Sequence, residues 1–325
     1  GEKMYDVITM GSCTIDLFVD TGKDLFRLTK DGQLSVPYGS KILVKSMNFE
    51  IGGGGTNTAG AFSTFGLKVA LLGKIGDDHN ADKIFKYLNS IQCDTSLLIQ
   101  EEGPSDYSVI LDAKGRDRTI LTLKDKNDKL RFNEINLSKL NSKWFYLCTM
   151  LGDSLETQIK ISKYAKENNI GIMYNPSSYL IRKGIEKFEE ILNNSNIICV
   201  NFEEAKLITG HTDPRLMADS LLTYGPSMAV ITDGSHGAYA FTKKEGYMIV
   251  PNEVNVKETT GAGDSFGAGF LTGFMKTMNI KIALEYGATE AESVIQYLGA
   301  KNKFLNLEEI NSKINEYPHK IIKIK

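Results

Sequence analysis

The chain has 325 residues, of which 42% are hydrophobic and 24% are charged, and its formal net charge at pH 7 is −2. Such a chain is long enough for one large α/β domain with an appendage. The nearly balanced charge excludes the electrostatic footprint of a nucleic-acid-binding protein, and no apolar run approaches the ~20 residues that span a bilayer. We therefore expect a cytoplasmic protein with no nucleic-acid and no membrane partner.

Short apolar segments alternate with helical patterns along most of the chain. The predicted strands cover residues 6–10, 69–72, 144–147, 171–174, 197–200 and 228–231. The predicted helices cover residues 58–65, 81–90, 155–167, 185–192 and 215–222, followed by two long ones near 263–277 and 281–297. This alternation predicts a mostly parallel sheet with helices on both faces. The locally basic residues 320–325 are expected to be a solvated end.

Two regions, about residues 14–50 and 95–123, break the alternation. In the second, residues 107–111 and 118–123 alternate like exposed strands. A small sheet laid over the carboxyl edge of the central sheet would cover a ligand there, as a lid does. We therefore predict a single domain over residues 1–325 with these two lid segments inserted.

The first glycine cluster, residues 52–57 (GGGGTN), opens the first predicted helix. Glycines such as Gly52 and Gly53 let another group approach the main chain closely, and Asn57 adds a donor and an acceptor beside them. This combination suits a polyhydroxylated ligand. A flexible turn with an Asn cap has the same pattern, so both interpretations stay open here.

The second glycine cluster, residues 259–270 (TTGAGDSFGAGF), lies at the start of a long predicted helix. The N–H groups of Gly261, Ala262 and Gly263 have no intrahelical partner and can bind a phosphate. The negative charge of Asp264 would repel a bound anion. A carboxylate at this position is therefore explained best if it takes a proton from the group that attacks the phosphorus. An ordinary capped helix packed through small residues is the alternative. The chain contains neither a Walker A lysine nor a complete dinucleotide fingerprint.

Two further motifs lie between these clusters, N-x-x-E at residues 201–204 and T-x-G-x-x-G at residues 232–237. With all four in this order, the chain resembles the PfkB, or ribokinase-like, family of carbohydrate and nucleoside kinases over nearly its whole length. The resemblance implies a three-layer α/β/α fold with a mostly parallel central sheet and a small β-sheet lid. It also implies ATP and Mg²⁺ as cofactors, and a homodimer formed through the lid.

The resemblance assigns roles on the phosphate side of the site. Asp264 would be the general base, and the N–H groups of Gly261, Ala262 and Gly263 would hold the charge on the transferred phosphoryl group. Glu204 would organise Mg²⁺ through water, although Asn201 and Glu204 also fit the cap of a helix. The residues assigned to the nucleotide are Asn201, Thr232, Gly234, Gly237 and Thr260.

On the acceptor side, the resemblance implies that Asp16, Gly52, Gly53 and Asn57 bind sugar hydroxyls. A carboxylate at Asp16 disfavours a phosphorylated acceptor and favours a neutral polyol. Arg116 and Arg118 compete for a further position near the site, and either can be a surface charge.

Several residues depart from the ribokinase pattern. Gly54 stands where ribokinases usually carry Lys, and Gly152 aligns with a glutamate, so a pentose would leave space unfilled. Glu258 replaces a common Asp, and Lys303 a late Ser, near the family's potassium site. K⁺ bound through Glu258 is thus a hypothesis only.

The leading prediction is an ATP-dependent kinase that phosphorylates a primary hydroxyl of a sugar, as ribokinase and fructokinase do, by direct in-line transfer. A nucleoside kinase is the alternative, with a wall for the base supplied by lid residues such as Phe18, Tyr38, Met47 or Tyr107. A ligand-binding regulator without turnover is a third possibility.

Overall fold

The computed structural model describes residues 4–20, 22, 27–30, 33–113 and 117–325. Its strands are β1 (Tyr5–Met10), β2 (Thr14–Asp20), β3 (Arg27–Leu28), β4 (Leu34–Ser35), β5 (Ser46–Gly52), β6 (Val69–Ile75), β7 (Leu98–Gln100), β8 (Tyr107–Ala113), β9 (Asp117–Leu123), β10 (Ser142–Cys148), β11 (Gly171–Asn175), β12 (Ile197–Asn201), β13 (Met228–Thr232), β14 (Ala238–Thr242), β15 (Gly246–Val250) and β16 (Lys320–Lys323).

Helices connect most of these strands. They are α1 (Gly54–Thr64), α2 (His79–Ser90), α3 (Gly152–Glu167), α4 (Ser178–Ile181), α5 (Glu189–Asn194), α6 (Phe202–Thr209), α7 (Pro214–Thr223), α8 (Ala262–Thr277), α9 (Ile280–Ile295) and α10 (Leu307–Glu316). Short 3₁₀ turns occupy Lys126–Asp128, Phe132–Glu134, Leu137–Lys139, Ile185–Lys187 and Gly234–His236. The predicted helix over residues 185–192 is thus wrong in part, because a 3₁₀ turn and the short α5 share that segment.

A ten-stranded sheet is the centre of the described part of the chain. Its order is β16-β15-β14-β13-β12-β11-β10-β1-β6-β7. The strands from β13 to β7 pair in parallel, while β14, β15 and β16 continue the sheet antiparallel. The prediction of a mostly parallel sheet is confirmed. The basic end is not merely solvated, because residues 320–323 form the edge strand β16 against β15.

Each buried strand contributes to two cores, because neighbouring side chains point to opposite faces. On β10, Phe145 and Leu147 join the core that α3, α5, α6 and α7 cover. Tyr146 and Cys148, one residue along in each case, join the core under α1, α2, α8 and α9. The result is the predicted three-layer α/β/α arrangement.

Helices α8 and α9 approach each other through glycines. A Cβ atom added to Gly269 would lie 2.6 Å from the Tyr286 carbonyl oxygen, and one added to Gly273 would lie 3.0 Å from the Cα atom of Ala283. The bare backbone of α8 therefore fits directly against α9.

A second sheet, in the order β5-β2-β8-β9, is formed by the two segments predicted as a lid. Strand β2 pairs antiparallel with β5 and parallel with β8. The passage from β1 into β2 is held by Asn127, whose side chain accepts from the Cys13 N–H at 2.9 Å and donates to the Cys13 carbonyl at 3.0 Å. Strand β7, also in the second segment, belongs to the central sheet instead. Among the helices of the described ranges, none is long and apolar enough to span a membrane.

Candidate active site

The residues singled out from the sequence meet at the carboxyl edge of the central sheet. Asn201 ends β12, Thr232 ends β13, and the two residues pair directly in the parallel register. Helix α8 begins nearby, since its Ala262 and Gly263 share one cavity with Thr232. Ligand sites of open parallel sheets occur at this edge.

Helix α8 starts without a side-chain cap among the described residues. Its N-cap is Gly261, with φ of 78°, and a Cβ atom there would lie 2.6 Å from that of Ala300. Glycine is required by both the backbone and the packing. The Ala262 N–H donates to the Thr259 carbonyl at 3.1 Å, so this predicted phosphate donor is engaged in the turn of the loop itself. At Gly263 a Cβ atom would meet open space.

Asp264, in the first turn of α8, is half-buried and hydrogen-bonded to the first glycine cluster. The Asn57 Nδ2 donates to the Asp264 Oδ2 at 2.9 Å. Burial raises the pKa of Asp264 above its usual value, although the Asn57 hydrogen bond and the charge of Lys301 oppose the shift. A carboxylate with a raised pKa is a better proton acceptor than an exposed one.

Lys301, in the loop after α9, was not identified from the sequence. Its Nζ donates to the Asn57 Oδ1 at 3.1 Å, which places an ammonium group one residue away from Asp264. Burial lowers the pKa of Lys301 to about 8, despite the neighbouring carboxylates of Asp16, Glu50 and Asp264. In the sequence, its only distinguishing feature is its position directly after Gly299 and Ala300, which is too weak a signal to identify a site residue.

Asp16 lies on β2 beside the first glycines. A side chain at Gly52 would collide with the Asp16 carboxylate, and Gly53, with φ of 94°, lies against the Ser12 carbonyl. The Thr14 hydroxyl donates to the Asp16 Oδ1 at 3.4 Å. Burial raises the pKa of Asp16. The four residues predicted on the acceptor side are therefore neighbours in the structure.

The two glycines that depart from the ribokinase pattern differ in their surroundings. A Cβ atom at Gly54 would lie 3.1 Å from that of Cys148 and 3.9 Å from the Asp264 Oδ1. At Gly152, with φ of 56°, it would lie 2.7 Å from the Asp128 carbonyl oxygen. Only Gly54 borders the site, because backbone already fills the space at Gly152.

Asn201 and Glu204 form a reciprocal helix cap. The Glu204 N–H donates to the Asn201 Oδ1 at 2.8 Å, and the Asn201 N–H donates to the Glu204 Oε2 at 2.9 Å. The Ser178 N–H donates to the other Glu204 oxygen at 3.1 Å. Burial raises the pKa of Glu204, and the negative charge of Asp264 adds to the shift.

A Mg²⁺ site built from protein ligands alone is absent from the described ranges, where no group of three or more His, Cys, Asp or Glu residues could hold a metal. Mg²⁺ at phosphate-transfer sites usually keeps several waters and binds one or two carboxylates together with the substrate phosphates. The Glu204 carboxylate, held in place by the Asn201 and Ser178 N–H groups, fits that mode of binding through water.

A cavity of about 970 Å³ opens between the turn after β13, the loop after β15 and helix α9. Thr232, Gly234 and Gly237 line one side, and Ala262 and Gly263 line the end nearest the start of α8. Its apolar wall includes Ile249, Val250, Pro251, Val254, Val256 and Ile295. This volume and this mixture of an apolar wall with a few polar groups suit a nucleotide.

The side chains of Thr260 and Glu258 form a hydrogen bond with each other next to this cavity. The Thr260 hydroxyl donates to the Glu258 Oε1 at 2.7 Å, and the Gly299 N–H donates to the Glu258 Oε2 at 2.8 Å. Thr259, rather than Thr260, borders the cavity.

Arg116 lies outside the described residues, and so does the side chain of Arg118, whose backbone is part of β9.

Comparison with known proteins decides the family. Residues 4–306 match the sequence profile of the pfkB family carbohydrate kinases. The chain belongs to this family. It is therefore a kinase that acts on a sugar or a nucleoside, and the resemblance seen in its motifs is confirmed.

Individual pfkB relatives cover nearly the whole chain. The ribokinase of Bacillus subtilis is 26% identical over an alignment of 312 positions, gaps included, which covers 94% of this chain and 98% of the relative. The 5-dehydro-2-deoxygluconokinase of Halalkalibacterium halodurans is 24% identical over an alignment of 334 positions, gaps included, which covers 97% of this chain and 96% of the relative. The Methanocaldococcus jannaschii nucleoside kinase structure, an archaeal ribokinase-family member, has a TM-score of 0.80 at 22% identity, covering 98% of this chain and 100% of that one. The ribokinase-like fold is thus confirmed.

Proposed function

We propose that the protein transfers the γ-phosphoryl group of ATP to a primary hydroxyl of a neutral sugar, with Asp264 as the general base. The observation that supports this best is the position of Asp264. Its helix begins at the nucleotide-sized cavity, through Ala262 and Gly263, while its carboxylate bonds to Asn57 of the acceptor side. A base between donor and acceptor is what in-line transfer requires.

In the proposed step, the acceptor hydroxyl oxygen attacks the γ-phosphorus as the bond from phosphorus to the leaving oxygen of ADP breaks. The hydroxyl proton passes to the Oδ1 of Asp264, because Asn57 occupies the Oδ2. The Gly261 and Gly263 N–H groups and the dipole of α8 stabilise the charge on the phosphoryl oxygens. Mg²⁺, held through water by Glu204, would neutralise phosphate charge.

The charges of the site favour a neutral acceptor. Asp16, Glu50 and Asp264 are near enough to Lys301 to raise its pKa, so three carboxylates face one ammonium group. An acceptor with its own carboxylate would meet repulsion at short range.

An ADP-release assay with Mg²⁺-ATP tests this choice of acceptor. We expect turnover on fructose or ribose to exceed turnover on 5-dehydro-2-deoxygluconate, which carries a carboxylate. A preference for that acid would contradict the charge argument. Turnover on inosine or adenosine alone would favour a nucleoside kinase, although two of the lid residues considered as a base wall are open to solvent, Tyr38 fully and Met47 about half.

Replacing Asp264 by Asn tests the base. The amide keeps the shape of the carboxyl but accepts no proton, so we expect kcat to fall roughly 10²–10⁴-fold while ATP affinity stays nearly unchanged. Asp153→Asn is the matched control, because Asp153 also lies in the first turn of a helix but is exposed and pairs with Arg131. Full turnover by the Asp264→Asn variant would remove Asp264 from the catalytic role.

We also propose that the protein forms a homodimer through its lid. Large apolar side chains that are about half exposed cluster on the lid strands β5 and β9. They are Met47, Phe49, Leu121 and Leu123, which the strand pairing places on one face of the sheet, whereas Ile120 points to the opposite face. Exposed apolar groups that share one small sheet are typical of an interaction surface.

Light scattering tests the dimer. We expect the wild-type chain to have twice the 36.0 kDa mass of one chain, and the double variant Phe49→Ser, Leu121→Ser to have the single mass. Leu207→Ser, which changes an equally exposed leucine on α6, should leave the dimer intact. A monomeric wild-type chain at micromolar concentration would refute the proposal.

Three further assignments belong to the same proposal. We propose that residues 1–325 act as one kinase domain with the lid inserted. Because this enzyme consumes ATP, we also propose that it works in the cytoplasm. If K⁺ activates the enzyme, Glu258 is the expected ligand. Comparing activity in K⁺ and Na⁺ tests this last point.

A further inference from the structure

The proposed function requires an ionised, correctly oriented Asp264, and a residue outside the recognised motifs meets both needs. We propose that Lys301 is the positioning residue of the phosphoryl-transfer site, which turns the Asn57 amide toward Asp264 and places a positive charge among the site's carboxylates. This inference rests on the proposed role of Asp264 as the base.

Three side chains form a directed hydrogen-bond chain. The Lys301 Nζ donates to the Asn57 Oδ1 at 3.1 Å, and the Asn57 Nδ2 donates to the Asp264 Oδ2 at 2.9 Å. An ammonium group only donates and a carboxylate only accepts, so the amide between them has one satisfactory orientation. Without Lys301, the amide can rotate and present its oxygen to the Asp264 carboxylate. Lys301 therefore decides which end of Asn57 faces the base.

The surroundings of Lys301 are mostly acidic. Asp16 on β2, Glu50 on β5 and Asp264 on α8 face it, together with the thiol of Cys13. The fifth group that faces Lys301 is the ring of Tyr87 on α2, whose centroid lies 5.5 Å from the Nζ. In this set Lys301 supplies the positive charge, and removing it would leave the carboxylates to repel one another. Asp264 would then be protonated at a higher pH.

The loop that carries Lys301 is tied to the start of α8. Ala300 is the residue against which Gly261, the N-cap of α8, packs. The Gly299 N–H donates to Glu258, and the Ser293 hydroxyl donates to the Lys303 carbonyl at 2.8 Å. Because these contacts hold both ends of the segment, the position of the ammonium group is fixed relative to Asp264.

The charge on Lys301 depends on pH close to neutrality. Burial lowers its pKa to about 8, and the facing carboxylates only partly reverse that effect. We therefore expect kcat to fall above about pH 8 as Lys301 loses its proton. At low pH, kcat should fall as Asp264 is protonated, which gives a bell-shaped profile.

The test compares three variants by their pH profiles. For Lys301→Met we expect kcat near neutrality to fall about 10²-fold, as for other misplaced catalytic groups, with the acid limb moved to higher pH and the alkaline limb lost. Lys301→Arg keeps the charge, so it should recover most of the activity and move the alkaline limb upward. Lys276→Met, in the exposed last turn of α8, is the control and should match the wild type.

A second measurement does not depend on turnover. Carboxyl ¹³C NMR of aspartate-labelled protein, with Asp264 assigned through Asp264→Asn, should give a higher pKa for Asp264 in Lys301→Met than in the wild type. An unchanged Asp264 pKa, or a pH profile that superimposes on that of the wild type, would overturn the inference. If the wild type phosphorylates no acceptor, the proposed function fails, and the NMR titration alone still decides the role of Lys301.

Discussion

Helices α6 and α8 each carry an acidic residue three positions after the N-cap, and the two carboxylates have different partners. In α6 the N-cap is Asn201, and Glu204 turns back to accept its N–H group. In α8 the N-cap is Gly261, and the Asp264 carboxylate bonds to Asn57 instead. The side chain at the N-cap position thus decides whether the carboxylate three residues later completes the helix cap or faces the acceptor side.

The same comparison indicates what the sequence can predict about individual residues. Asp264, Asn57 and Glu204 lie in compact motifs whose spacing carries chemical meaning, so they were identified in advance. Lys301 bonds to a residue 244 positions away. No local pattern encodes such a contact, because it depends on how α9 packs and where the following loop returns.

His319 provides a further residue-scale prediction, which concerns stability. Its side chain is fully buried, with the Nδ1 2.6 Å from the Glu285 Oε2 and the Nε2 2.8 Å from the Glu292 Oε1. Burial by itself would lower the pKa of His319, but the two carboxylates outweigh it and raise this pKa to about 9. The stabilisation, on the order of 3 kcal/mol, is complete below about pH 6.5 and lost as the pH rises through about 9.

Urea unfolding between pH 6 and 10 measures this contribution. We expect the free energy of unfolding of the wild type to fall more steeply over that interval than that of His319→Gln. His211→Gln, at an exposed position just after α6, is the control and should keep the wild-type slope. Parallel slopes for His319→Gln and the wild type would mean that His319 is not protonated in the folded protein.

Among the secondary-structure elements, the buried parallel strands were the most predictable. Continuous apolar runs identified β1, β6, β10, β11, β12 and β13. The hairpin of β14 and β15 was missed because Lys243 and Lys244 interrupt its apolar pattern, and β16 was missed because lysines occupy both of its ends. These strands pair at the edge of the central sheet, so hydrogen bonds and packing from neighbouring strands stabilise them despite their weak apolar patterns.

The contact between α8 and α9 gives a prediction at this scale. An alanine at Gly269 would place its Cβ 2.6 Å from the Tyr286 carbonyl, so Gly269→Ala should lower the free energy of unfolding by about 1–3 kcal/mol. Alanine normally favours a helix over glycine by up to about 1 kcal/mol. Gly263→Ala, in the same helix but facing open space, should therefore show no such loss. Equal melting temperatures for the two variants would contradict close packing at Gly269.

At the scale of the whole molecule, the site is assembled from distant parts of the chain. The lid contributes Asp16, helix α1 contributes Asn57, the central sheet contributes Thr232, and the loop after α9 contributes Lys301. The order of the motifs was sufficient to predict the family and the three-layer fold. The pairing of β2 between β5 and β8 was not predictable, because strand register depends on contacts between separate segments.

The uncapped start of α8 has a practical consequence for identifying the ligands. A helix end with unpaired N–H groups is less stable than a capped one, and an anion bound there would satisfy those groups. Any molecule that binds only the folded chain raises its melting temperature in proportion to the logarithm of its concentration above Kd. Thermal-shift screening of nucleotides, and then of sugars in the presence of a non-hydrolysable nucleotide, could therefore find both ligands without any turnover.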